Sequence, residues 1–191
     1  LVSPTAKEIK DCREAWNSGK KLAEKHDLLV TGGWGVGGDA LAWFCGLENA
    51  VYMALENPEL LKSILDIVHE WNISRMRVYL EYGIDLFVRR AWYEGTDFWS
   101  PDLFLEFFAP YIKQEVKLAH EAGTKYGYIL TSGSAPLHNI LTDLGIDVLM
   151  GVDPVQGRGT ELENIKKDLS GKICLWGGVN GFITIETGNR E

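Results

Sequence analysis

Two stretches decide the fold: Glu81-Tyr-Gly-Ile-Asp-Leu-Phe87 and Asp143-Leu-Gly-Ile-Asp-Val-Leu149. Each closes an amphipathic helix, stops it at a glycine, passes an aspartate and begins an apolar run. A helix-to-strand joint written twice in one chain marks a repeated βα unit. Working outward, strands are predicted at residues 28–31, 85–91, 125–131, 147–152 and 173–177. Helices are predicted between them. One covers 4–26, and another starts at Asn57-Pro58 and runs to about Tyr82 with Leu61, Ile64, Leu65, Val68 and Trp71 on one face. Ser100-Pro101 opens a third that ends at Gly123, and Pro136–Leu144 is a short fourth. The fifth follows a Thr160-x-x-Glu163 capping box. The strand runs are apolar without strict polar alternation, as parallel strands covered on both faces are. The expectation is an α/β chain, either a (β/α) barrel or a doubly wound sheet.

Composition narrows the function. The chain has 191 residues, 46% of them hydrophobic, with 27 acids against 19 bases and a net charge of −8. A basic face for nucleic acid is missing, and so is a Lys/Arg block for an anionic membrane surface. No apolar run approaches the ~18–20 residues of a membrane span. Cys12, Cys45 and Cys174 are odd in number and far apart, which points to a reducing, cytoplasmic setting without disulfides. No linker composition interrupts residues 1–191, so one domain is expected. Leu1 in place of a start methionine reads as the start of an incomplete piece.

In either α/β architecture a ligand sits at the carboxyl ends of the strands. That rule alone selects Trp34, Arg89 to Glu94, Thr131 to Ser134, Asp153, Gln156 and Gly177 to Asn180. Gly33-Trp-Gly-Val-Gly-Gly38 matches G-x-G-x-x-G in form, but the following strand is too distant for a dinucleotide unit. The reading favoured for it is a loop whose backbone approaches a ligand or another loop. Alternation sends one of Arg89 and Arg90 inward, where a forked guanidinium could anchor a carboxylate. The competing reading pairs the arginine with Glu94 or Asp97. Asp153 is a candidate acid, base or substrate clamp, or else an Asx turn into Pro154. His26, His69, His120 and His138 are scattered and form no metal-ligand spacing.

Trp92-Tyr-Glu-Gly-Thr-Asp-Phe-Trp-Ser-Pro101, Phe107-Phe-Ala-Pro110 and His120-Glu-Ala-Gly123 resemble blocks of the uroporphyrinogen decarboxylase superfamily. So do Leu144-Gly-Ile-Asp-Val-Leu149, Asp153-Pro-Val-Gln-Gly157 and Trp176-Gly-Gly-Val-Asn180. The resemblance implies a (β/α)8 TIM barrel, present here as about five parallel βα units, the third to seventh strands. It also implies a small-molecule enzyme of one of two kinds. The first is a cofactor-independent decarboxylase of a carboxylated tetrapyrrole, with Asp153 and Glu94 catalytic. Trp34, Arg89, Arg90, Trp92, Tyr93, Thr131, Ser132, Gln156 and Asn180 would then hold the substrate. The second is a methyltransferase or O-demethylase component that meets a corrinoid protein, to which Trp34, Trp92, Tyr93 and Trp99 would give an aromatic pocket. The zinc pair of the methyltransferases falls on Leu130 and Ser132, so no metal is expected. A homodimer is a candidate assembly, and a piece without activity is the third reading.

Overall fold

A computed structural model describes residues 5–156 and 161–188, with only the backbone of Gln156 and Phe182. Five strands form one sheet in the order β1-β2-β3-β4-β5, every neighbour pair parallel. They are β1 (Thr31–Val36), β2 (Leu86–Arg90), β3 (Lys125–Ile129), β4 (Val148–Val152) and β5 (Cys174–Gly177). A doubly wound sheet reverses its strand order at a switch point. This one never reverses, so it is a section of a (β/α) barrel.

The α-helices among the described residues are α1 (Ala6–Lys25), α2 (Gly38–Phe44), α3 (Leu47–Glu56), α4 (Pro58–Glu81), α5 (Pro101–Phe107), α6 (Ala109–Glu121), α7 (His138–Leu144) and α8 (Leu162–Leu169). α4 begins as its sequence predicts: the Asn57 side chain accepts from the Leu60 amide, and Pro58 takes the first turn. The helix expected over 101–123 is two. Pro110 has no N–H to continue the ladder, so α5 ends at Phe107 and α6 restarts at Ala109. Phe104, Phe107 and Phe108 are buried across that break. Thr160 of the expected capping box lies outside the described residues.

The largest departure is β1. The strand predicted at 28–31 instead starts at Thr31 and runs through the glycine-rich stretch. The two αβ joints explain this. Val30 donates its amide to Asp85 Oδ2 at 2.8 Å, and its carbonyl accepts from the Asp85 amide at 2.9 Å. Tyr126 does the same with Asp147, at 2.8 and 3.0 Å. Val30 is therefore tied at the joint, and the ladder begins one residue on, at Thr31 opposite Leu86. The glycines are needed because the strand is pressed on its neighbour. A Cβ on Gly33 would meet the Phe87 ring at 2.8 Å. The register shifts between Gly33 and Gly35, and Trp34 bulges out at φ 87°. That conformation costs a non-glycine residue about 1 kcal/mol or more.

Pleating divides the sheet into two faces. Phe87 and Arg89 on β2, with Tyr126 and Tyr128 on β3, face the helices, where Arg89 and Tyr126 meet Glu115 of α6. Leu86, Gly127 and Met150 lie together on the opposite, concave face. Asn72 of α4 clamps β1 from the helix side, donating to the Val36 carbonyl at 2.6 Å and accepting the Val36 amide at 3.2 Å. Among the described residues no helix is long and apolar enough to cross a membrane.

Candidate active site

Parallel strands put all their carboxyl ends at one end of the sheet, so the segments after β1 to β5 share that end. Three groups of side chains form there.

The first surrounds the end of β2. Arg89 points to the helices and is 1% exposed. Its Nη1 donates to Glu115 at 2.8 Å, while Nη2 and Nε donate to Glu94 at 2.8 and 3.2 Å. Tyr126 donates to Glu115 at 2.5 Å and Tyr128 to Glu94 at 2.7 Å, and the Gly38 amide donates to Glu94 at 2.9 Å. Burial alone would raise the Glu115 carboxyl, but Arg89, His69 and Tyr126 outweigh it and hold it below the ordinary value. Burial would also lower the Arg89 guanidinium, which the two carboxylates instead hold well above its usual range. Gly37 lies directly on this ion pair, and any Cβ there would collide with Arg89 Nη2 and Glu94 Oε1. The glycine-rich segment thus approaches a buried salt bridge and the backbone of the loop after β2, the loop-to-loop approach that the sequence left open. It is built, however, as the end of β1 and the start of α2 and not as a loop.

Arg90, the next residue, points the other way. Its Nε lies 2.7 Å from Asp39 Oδ1, an ion pair too oblique for a hydrogen bond. Its guanidinium carbon is 4.0 Å from the Trp92 ring centre and 5.0 Å from that of Trp43. Among the described residues no hydrogen bond reaches Nη1 or Nη2. Asp39 is fully buried. Desolvation raises its carboxyl, Glu94 adds to the rise, and Arg90 opposes it.

The second group sits above β3. Ser132 donates to Asp97 at 2.7 Å, and Thr96 donates its amide and hydroxyl to the Gly133 carbonyl at 3.0 and 2.9 Å. Ser134 Oγ is 3.3 Å from His138 Nε2, and His138 Nδ1 is 2.9 Å from Asp168 Oδ2. The order of groups is that of a serine relay, but Ser134 is 2% exposed. It ties the β3 loop to α7 and α8.

The third group joins β4 to β5. Asn180 donates to Asp153 Oδ2 at 2.6 Å, and the Val155 amide donates to Asp153 Oδ1 at 3.1 Å. The second bond is the Asx turn into Pro154 that the sequence allowed.

The sequence profile of the uroporphyrinogen decarboxylase (URO-D) family matches residues 20–191. The chain belongs to the uroporphyrinogen decarboxylase family. No curated protein matches it. Among solved structures, a methyltransferase from Methanosarcina mazei superposes with a TM-score of 0.69 at 20% sequence identity. The alignment covers 89% of this chain and 49% of that one. The likeness is one of fold, and the chain spans about half the length of that structure.

Within this URO-D fold the candidate residues are spread unevenly. Trp34 and Trp92 are half-exposed, as are Trp43 and Trp176, but Trp34, expected just after the first strand, lies inside β1 because that strand runs on to Val36. Tyr93 is half-buried against Phe98, with ring centres 5.7 Å apart. Thr131 is half-buried. The Gln156 side chain lies outside what the structure describes. Trp99, expected in an aromatic pocket, is instead 1% exposed, donates its indole N–H to the Tyr93 carbonyl at 2.7 Å and packs edge-on against Phe108. Arg89 and Glu94 satisfy each other inside the protein, the competing reading that the sequence left open. The donor set for zinc does not fit: Leu130 is a buried hydrocarbon and the Ser132 hydroxyl is committed to Asp97.

Sequence reasoning missed Asp39, Glu115, Trp43 and the two tyrosines. One signal was present. Glu115 falls at helical spacing with Ile112, Val116 and Ala119, all buried. A charge on an apolar face announces a buried partner.

Proposed function

We propose that this chain supplies part of the substrate-binding mouth of a URO-D family enzyme that decarboxylates a carboxylated small molecule, tetrapyrrole-like or related, without a cofactor. Arg90 carries the reading. A guanidinium at a strand's carboxyl end, flanked by two tryptophan rings and with its terminal N–H groups unbonded among the described residues, is ready for bidentate carboxylate binding. Trp92 and Trp43, against that guanidinium, offer flat apolar surface for the substrate body. Among the described residues the Val155 amide and the Asn180 side chain donate to the Asp153 carboxylate, which suits it to stabilising positive charge on the substrate. A proton added to the ring gives that positive charge. The bond to the carboxylate then breaks with its electron pair flowing into the ring as CO2 leaves, and a proton from solvent takes the carboxylate's place on carbon as the first is given back. Thr131, Ser132, Gln156 and Asn180 border the same mouth, and Glu94 acts from behind by fixing Arg89 and the start of α2. The dispersed thiols Cys12, Cys45 and Cys174 support a reducing compartment.

The second reading is methyl transfer with a corrinoid protein as partner. The half-exposed Trp34, Trp43, Trp92 and Trp176 favour it, since Arg90 by itself is few cations for a substrate with many carboxylates. Anaerobic incubation of the full-length protein with uroporphyrinogen, read by chromatography of the oxidised products, separates the two. Stepwise carboxylate loss that Arg90→Ala abolishes supports the first. No turnover, with a change in methylcobalamin absorbance instead, replaces it with the second.

A further inference from the structure

The Arg90–Asp39 pair is built differently from the ion pairs of Arg89. Arg89 meets two carboxylates with three aligned hydrogen bonds. Arg90 meets one carboxylate obliquely through Nε, at 2.7 Å, and among the described residues no side-chain donor is aligned on Asp39, whose carboxylate has only the Trp92 and Tyr93 amides close by to oppose the effect of burial. A carboxylate that is fully buried and poorly bonded holds its charge at a cost. The groups facing it are few. From β2 comes the Arg90 charge. From the loop after β2 come the Glu94 carboxylate and the nearby Trp92 and Tyr93 amides. Glu94 is already a like charge, and burial pushes the Asp39 carboxyl upward before any ligand arrives.

We propose that Arg90 and Asp39 form a proton-linked anion clamp: a small carboxylate seated on the Nη fork of Arg90 is taken up together with a proton that Asp39 keeps. The inference rests on the reading of Arg90 as the substrate fork and adds the partner behind it. The physical cause is direct. The ligand brings a second negative charge to the far side of the guanidinium that stabilises Asp39, whose own side of the pair is buried and so poorly screened by water. Asp39 answers by binding a proton from solvent, so that ligand anion and proton enter together and charge balances. The site then holds a neutral acid beside the bound carboxylate. Trp43 and Trp92 flank the guanidinium, which selects a flat body behind the carboxylate, an aromatic or pyrrolic acid.

The test is calorimetric titration of the full-length protein with benzoate at one pH in phosphate and in Tris, whose ionisation heats differ. The expected result is proton uptake with binding, and an affinity that rises as pH falls, by up to about tenfold per pH unit for one linked proton. Asp39→Asn should still bind benzoate, with no proton uptake and a flat pH dependence. Binding to the native chain without proton uptake overturns the clamp and leaves Arg90 as the substrate fork. Uptake that persists in Asp39→Asn also overturns it. Absence of benzoate binding, or binding unchanged in Arg90→Gln, overturns both the clamp and the substrate reading of Arg90.

Discussion

Arg89 and Arg90 are neighbours on one strand and share one side-chain chemistry, yet they live in different worlds. Arg89 is sealed between the sheet and α6, with Glu94, Glu115 and two tyrosines ordered around it. Arg90 turns the other way, and among the described residues it has Asp39 as its one ion-pair partner and keeps its fork unbonded. The difference comes from the pleat, which reverses direction at each residue. It teaches that an arginine near a strand's carboxyl end is not by its address a substrate ligand. The number of carboxylates already committed to it decides.

Breaking the sealed arginine should have the largest effect. Arg89→Met strands two buried carboxylates, and the expected loss is about 3–5 kcal/mol of unfolding free energy in urea. A loss under about 1 kcal/mol would mean that the cluster is open to water. Glu115→Gln should cost less, about 3 kcal/mol at neutral pH, because Glu94 still holds Arg89. Its pH dependence has a definite sign. The Glu115 carboxyl is held below its ordinary value, so its contribution is present above the ordinary carboxylate range and fades as pH falls through the lowered value. Urea midpoints of the native chain and Glu115→Gln should therefore converge in acid.

Arg90→Gln should cost on the order of 1 kcal/mol, because Asp39 can relieve its burial by taking a proton. Asp39→Asn should have the smallest effect, with the opposite sign. The Asp39 carboxyl is raised, so its favourable contribution is present below the ordinary value and is lost as pH rises through the raised one. The variant should match the native chain in acid and be the more stable of the two near neutrality. A variant less stable at every pH would show that Asp39 is held by bonds better than those described.

Much of this arrangement is legible in the sequence because it is local. The repeated joints 81–87 and 143–149 predict the αβ turns, and the structure gives both aspartates the same pair of backbone bonds. Gly145 ends α7 at φ 83°, the left-handed stop that glycine takes without strain. What the sequence hides is contact over distance. Nothing near Val30 says that Asp85, fifty-five residues on, ties its amide and delays β1. Nothing near Arg89 names Glu115, twenty-six residues on, as its second partner. Asp39 follows two glycines with no periodic signal, and only the fold brings it under Arg90.

The central claim is that Arg89 is closed and Arg90 is open to ligand. A crystal structure of the full-length protein soaked with 4-bromobenzoate, with bromine located by its anomalous signal, tests it most directly. The expected result is a carboxylate with both oxygens within hydrogen-bond distance of Arg90 Nη1 and Nη2, and Arg89 still held by Glu94 and Glu115. A bromobenzoate seated at the Asp153–Asn180 pair with Arg90 untouched, or Arg89 drawn out to meet it, would contradict the account.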